Sequence, residues 1–249
     1  MTPLNPPPSP DTSYDGYREW KQWNRLFDPQ AHERDLFQRE FRDIPVRGKR
    51  LLDIGFGSGA LLGWASSEGA EIAGIELQSE LRDAATARGI TTYESLDATP
   101  DSSFDVVTAF DVLEHIPREH LLPFLKQLRR IAAADARIVL RVPNCQCAAG
   151  LLNQFGDATH VTMLSGPIVQ QLCLQAGLAT LHIRESMEAI HPGSRLKTLL
   201  RPLQRLAQHL SKLSFRLMWS SGSTPLSSNV TVIAAPHPLP ALSDVKGQH

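Results

Sequence analysis

Two acids and three glycines set the chemistry open to this chain. Asp53 lies in a short apolar run, Leu51-Leu52-Asp53-Ile54, and Gly55, Gly57 and Gly59 follow at alternate positions before Ala60. Glycines spaced this way let the backbone turn sharply and let a ligand approach it closely. A helix from Ala60 to about Ser67 would point its free N–H groups at that ligand. Glu76 closes the next apolar run, Glu71-Ile72-Ala73-Gly74-Ile75, nineteen residues after Gly57. That is about the spacing at which an acid receives the two hydroxyls of a ribose.

The same spacing argues against a dinucleotide. The pyrophosphate fingerprint G-x-G-x-x-G puts the third glycine three residues after the second, whereas Gly59 follows Gly57 by two. The Asp53 carboxylate would repel a pyrophosphate and attract an ammonium. The ligand is read as a nucleoside that carries a cation near its ribose and no diphosphate. The plainer reading of the same residues is a glycine turn with no ligand.

Asp53-Ile54-Gly55-Phe56-Gly57-Ser58-Gly59, followed by Glu76 and then by Phe104-Asp105-Val106-Val107, resembles the class I S-adenosylmethionine-dependent methyltransferases. Asp111-Val112-Leu113-Glu114-His115-Ile116 narrows the likeness to the small-molecule branch, and it covers roughly Gly48 to Pro236. The resemblance implies S-adenosyl-L-methionine as cofactor. It implies Asp53 for the methionyl ammonium, directly or through water, and Gly55, Phe56, Gly57 and Gly59 as backbone against the cofactor. Glu76 would take both ribose hydroxyls, with Leu77 beside it and Phe110 at the end of strand four. Asp97 falls where related enzymes hold the adenine with an acid; the usual Gly-Asp pair is absent and Glu94 is a rival.

For the acceptor, the resemblance points to Asp157-Ala158-Thr159-His160, a D-x-x-H stretch that looks into the active site of related small-molecule enzymes. An Asp three residues before a His can orient the imidazole and support it as a base. His160, backed by Asp157, is the candidate base, and His115 is the second. The plainer readings are a turn-capping Asp with a packed His, and a His115 that satisfies backbone near a helix start. No metal-ligand cluster is visible in the spacing, so no metal is expected.

These residues need a scaffold. Short apolar runs alternating with amphipathic stretches predict a doubly wound, mostly parallel, seven-stranded Rossmann-like sheet with helices on both faces. The expected strands are 51–54, 71–76, 90–93, 104–110, 137–142, 178–183 and 229–235. The resemblance adds that the last is antiparallel and lies beside strand five. The expected helices are 60–67, 79–88, 118–134 and 167–176. Residues 1–13 read as a disordered Pro-rich tail, and 14–45 as a helical cap rich in aromatics (Tyr14, Tyr17, Trp20, Trp23, Phe27, Phe37, Phe41). The methyltransferase domain is placed at 46–236 and a flexible tail at 237–249. An insertion at 189–228 holds no acid but carries Arg195, Lys197, Arg201, Arg205, Lys212 and Arg216 among leucines spaced by threes and fours. Such a basic amphipathic helix can lie on an anionic membrane, grip an acidic acceptor, or simply pack its leucines on the domain.

Composition fits this reading. The chain has 249 residues, 42% of them hydrophobic, and a formal net charge of −1, so it is no general magnet for nucleic acid. Cys145, Cys147 and Cys173 form no paired framework and suggest a reducing compartment. No run is long enough to span a bilayer and no secretory signal is visible, so a cytoplasmic protein is expected, with a peripheral contact through 195–217 at the inner membrane face as a further option. The expected activity is methyl transfer to a hydroxyl or other nucleophile of a small molecule, with a glycan or lipid-linked acceptor favoured by the basic insertion. The alternatives are a quinone or natural-product methyltransferase and a non-catalytic cofactor-binding sensor or subunit.

Overall fold

The computed structural model describes residues 16–21, 23–186 and 227–237, together with nine helical positions between 203 and 217. Seven strands form one sheet: β1 (Arg50–Ile54), β2 (Glu71–Ile75), β3 (Thr91–Tyr93), β4 (Phe104–Phe110), β5 (Ala132–Pro143), β6 (Leu178–Glu185) and β7 (Asn229–Pro236). Their order is β3-β2-β1-β4-β5-β7-β6. β1 pairs in parallel with both β2 and β4, and β7 runs antiparallel between β5 and β6. The doubly wound sheet and the reversed last strand are therefore as expected.

The alternation of side chains along each strand divides the core in two. Leu52, Ile54, Val107, Ala109, Ile138 and Leu140 pack on one face with α5 (Arg118–Ile131) and α7 (Gly166–Gln175), whose contributions include Leu121, Leu125, Leu128 and Val169. Leu51, Val106, Val139 and Ile233 pack on the other with α2 (Ala31–Glu40), α3 (Ala60–Ser67) and α4 (Ser79–Thr86), which bring Leu36, Phe37, Leu61, Leu62, Trp64 and Leu81. With both faces covered, the strands read as apolar runs in the sequence.

Three local differences from the expected elements have simple causes. α5 ends at Ile131 and not at Ala134, because Ala132 already pairs with Phe104 and begins β5. The aromatic cap is not one helix: α1 is a single turn, Tyr17–Trp20, and residues 23–30 leave helical geometry before α2 starts. α6 (Ala148–Gln154), a helix not among the expected elements, follows β5. The tails at 1–13 and 238–249, Tyr14, and most of the insertion lie outside the described residues. Within the insertion, Leu203, Leu206, Leu210, Leu213 and Leu217 are helical and exposed.

The order of the sheet fixes where a ligand can bind. Connections from β1 lead one way to β2 and β3, and from β4 the other way to β5. The reversal opens a crevice at the carboxyl ends of β1 and β4.

Candidate active site

That crevice is a cavity of about 610 Å³. Asp53, Gly55, Phe56, Gly57, Glu76 and Leu77 form one side of its lining, and Phe110, Asp111, His115 and Arg141 belong to the other. Lys21 and Trp23 reach it from the N-terminal segment.

Asp53 is paired in register with Thr108, and the Thr108 hydroxyl donates to its Oδ1 at 2.6 Å. Burial nevertheless pushes its carboxyl up to about 7, with the Glu76 charge nearby adding to the effect and the Thr108 hydrogen bond opposing it. A buried carboxylate in this condition is relieved by a cation. Glu76 is anchored differently. Its Oε2 accepts from Gly57 N–H at 2.9 Å, and its Oε1 accepts from Leu77 and Gln78 N–H at 2.8 and 3.1 Å. Oε1 thus has both lone pairs engaged, and Oε2 retains acceptor capacity.

The glycine turn works at two positions in different ways. At Gly57 a Cβ would come within 2.8 Å of the Trp23 ring, so the indole lies directly on the turn. Gly59 is left-handed, with φ +71°, and a Cβ there would meet the Phe27 ring at 2.2 Å. Phe27 is itself left-handed and its N–H donates to Ser58 O at 2.8 Å. Gly59, named in the expected cofactor set, makes room for Phe27, and its neighbours Ser58 and Ala60 line the cavity. Asp97, the expected adenine acid, is engaged elsewhere. Its Oδ1 accepts from Gln127 Nε2 on α5 at 3.1 Å, and Glu94, Ser95 and Leu96 line the cavity in its place. Asp105 serves the scaffold, accepting from Arg50 N–H at 2.9 Å.

Beyond Phe110 the chain makes a strained turn. Asp111 is left-handed, with φ +56°, held by its N–H to Arg141 O at 2.9 Å and by an ion pair in which Arg141 Nε is 3.1 Å from Oδ1. The Arg141 guanidinium lies 4.7 Å over the Phe110 ring. A 3₁₀ turn, Leu113–His115, follows. Residues 157–162 pack against it, because Val161 and Thr162 N–H both donate to Glu114 O, at 2.9 and 3.0 Å.

That packing assembles a cluster. The His115 and His160 rings meet edge to face at 4.7 Å. His160 Nδ1 is 3.2 Å from Gln154 O; a carbonyl only accepts, so Nδ1 carries a proton. Nε2 faces Asp157 Oδ2 at 3.7 Å and Glu114 Oε1 at 3.9 Å. Burial alone would raise the Asp157 carboxyl, but hydrogen bonds from Thr159 and the ammonium of Lys21, 3.2 Å away, bring it down to about 2. Glu114 is fully buried, neither of its carboxyl oxygens has a hydrogen bond among the described residues, and burial drives it well above the usual carboxylate range. Burial lowers His115, so it is neutral near pH 7 and able to accept a proton.

The structure brings His115, Asp157 and His160 together. His115 lines the cavity, whereas His160 and Asp157 stand behind it. The expectation of no metal-ligand cluster needs correction: ligand atoms of Glu114, His115 and His160 lie within 4.8 Å of one another and could hold a cation. Sequence spacing hides this trio because His160 is far along the chain. Lys21, Glu114 and Arg141 are the residues that sequence reasoning passed over. Arg141 did leave a signal, a lone charge inside the apolar run Ile138-Val139-Leu140-Arg141-Val142.

Comparison with known proteins bears on the family and the fold. A family model described as a methyltransferase domain matches residues 14–183. The ubiquinone biosynthesis O-methyltransferase of Hahella chejuensis is 34% identical over 110 residues, which is 39% of this chain and 46% of that protein. The protein of the same name from Paraburkholderia phymatum is 34% identical over 111 residues, 38% of this chain and 48% of that one. The matches thus span about half the length of these curated relatives. In fold, the chain is similar to a SAM-dependent methyltransferase from Archaeoglobus fulgidus, with TM-score 0.62 and 20% identity over 89% of this chain and 99% of that one. It is also similar to a Burkholderia thailandensis 1,6-didemethyltoxoflavin-N1-methyltransferase solved with S-adenosylhomocysteine, with TM-score 0.58 and 13% identity over 92% and 85%.

Proposed function

This chain belongs to the S-adenosylmethionine-dependent methyltransferase family, and from that premise we propose that it moves a methyl group from S-adenosylmethionine to a hydroxyl of a small molecule. The observation that carries the reading is one cavity lined by Asp53, Glu76 and a half-buried His115 whose imidazole burial keeps neutral.

The residues present fit the donor. Asp53, held near 7 by burial, gains from a methionyl ammonium. Glu76, fixed by three backbone N–H groups, offers its remaining acceptor capacity to ribose hydroxyls. S-adenosylmethionine supplies an electrophilic methyl already activated by the sulfonium. The protein's task is then to align a nucleophile about 3 Å from that carbon and to exclude water. Leu36, Phe37, Phe56, Phe110, Ile116 and Phe124 give the cavity its apolar walls. His115 takes the hydroxyl proton, and His160 with Asp157 supports it from behind. The names of the curated relatives favour oxygen as the acceptor atom.

An acidic or lipid-linked acceptor is the finer reading. It is supported by the insertion at 189–228, with six basic residues and no acid, and by the exposed Leu203, Leu206, Leu210, Leu213 and Leu217. A peripheral contact with an anionic membrane would follow from the same residues. No described helix is long and apolar enough to cross a membrane.

The test is incubation with radiolabelled S-adenosylmethionine and fractionated cell extract. The expected result is a labelled small molecule whose formation is lost in His115→Ala. Binding of S-adenosylhomocysteine with no labelled product from any fraction would favour a donor-binding sensor or subunit. Sedimentation with anionic liposomes, with and without charge reversal at Arg201, Arg205, Lys212 and Arg216, tests the membrane contact; sedimentation that ignores the reversal would remove it.

A further inference from the structure

The N-terminal segment touches both rims of the cavity. On the donor rim, Trp23 lies on Gly57, Phe27 N–H donates to Ser58 O at 2.8 Å, and Arg18 pairs with Glu80, at the start of α4 just past Glu76. On the acceptor rim, Lys21 Nζ is 3.2 Å from Asp157 Oδ2. The Lys21 side chain is a third exposed, while that of Asp157 is 6% exposed.

Resting on the donor reading above, we propose that Lys21 is a positioning residue that couples occupancy of the donor half to order in the acceptor half. The physical reason lies in the charges around His160. Asp157 and Glu114 both face its Nε2, and both carboxyls are buried. Buried carboxylates without a counter-charge are costly. Lys21 brings a positive charge to them, and it arrives on residues 16–21 and 23–27, which lie across the donor cleft. A nucleoside held beneath Trp23 favours that placement. It thereby favours the Lys21–Asp157 pair and the packing of residues 157–162 against Glu114 O. Withdraw the segment, and Asp157 loses its ammonium partner. By linkage the effect is reciprocal, so anything that fixes residues 157–162 tightens the donor side as well.

Amide hydrogen exchange on the full chain, with and without S-adenosylhomocysteine, tests this. The amides of Thr159, His160, Val161 and Thr162 are all hydrogen-bonded within the acceptor cluster, and those residues do not line the cavity. In the wild type, the nucleoside should slow exchange directly at 53–59 and 76–78. It should also slow 157–162 by about fivefold, at the low end of coupling between sites. In Lys21→Met the direct protection should persist while the change at 157–162 falls below about twofold, and Lys21→Arg should restore it. Asp157→Asn, approached from the opposite rim, should likewise remove the nucleoside-dependent protection of residues 16–21. Equal protection of 157–162 in wild type and Lys21→Met would overturn the coupling. No protection even at 53–59 would mean that the nucleoside does not bind, and the donor reading would fall first.

Discussion

The two halves of the cavity solve the burial of charge in opposite ways. In the donor half, Glu76 is anchored by its own neighbours: Gly57, Leu77 and Gln78 give it three backbone hydrogen bonds. In the acceptor half, Glu114 is more deeply buried and its carboxyl has no hydrogen bond among the described residues. It is met only by His160 and by charges brought from elsewhere. A pocket pre-organised by local backbone is built to bind one ligand. A cluster left short of partners is built around a proton, a cation or an incoming substrate group. The second carboxyl of the donor half, Asp53, shows the same logic on a smaller scale, since its burial leaves it in want of a cation such as an ammonium.

The strongest way to break this division is His115→Ala. Loss of a general base typically costs 10²- to 10⁴-fold, so turnover on the labelled acceptor should fall by about that factor. S-adenosylhomocysteine affinity, measured by calorimetry, should stay within about threefold. If both fall together, the halves are not separable. Glu76→Ala should do the reverse. Removing a charged acceptor of two hydroxyls should weaken S-adenosylhomocysteine by about 100-fold, and saturating donor should recover part of the turnover. A wild-type affinity in this variant would remove Glu76 from the ribose.

Gly59→Ala sharpens the comparison from the side of packing. The left-handed φ costs about 1 kcal/mol for a side chain, and overlap with the Phe27 ring adds to it. A loss of about 2 kcal/mol in denaturant unfolding is expected, partly recovered in Gly59→Ala with Phe27→Ala. No recovery would mean that Gly59 does not serve Phe27.

The smallest effect is protonic. With its carboxyl near 7, Asp53 is about half protonated at pH 7 in the free protein. A ligand ammonium favours the ionised form, so nucleoside binding at pH 7 should release about half a proton, and affinity should fall as pH drops below 7. Calorimetry of S-adenosylhomocysteine binding in buffers of different ionisation enthalpy measures the release. A binding heat independent of buffer would show that Asp53 does not meet the ammonium.

The division also explains how much of the site could be read in advance. Asp53, Gly55, Gly57, Glu76 and Leu77 all lie in a strand end, the turn after it and the end of the next strand, so spacing along the chain is spacing in space. Residues that leave this local frame answer to partners far along the chain, which spacing does not record. Asp97 turned to Gln127 on α5, and Gly59 answered to Phe27, more than thirty residues earlier.

By itself the sequence determined the doubly wound sheet, its reversed last strand and the nucleoside half of the cavity. The alternating elements and the glycine turn follow from local periodicity, glycine conformation and the short distance between successive strand ends, while the reversal of the last strand is what the family resemblance implies. Tertiary structure alone decided that His115 and not His160 faces the cavity, that Glu114 is buried beside them, and that Lys21 reaches Asp157. Those contacts join segments at 21, 114–115 and 157–160, and nothing in the local chain records how distant segments pack. Only the filling of the core, and the need to partner charges buried within it, fixes their arrangement.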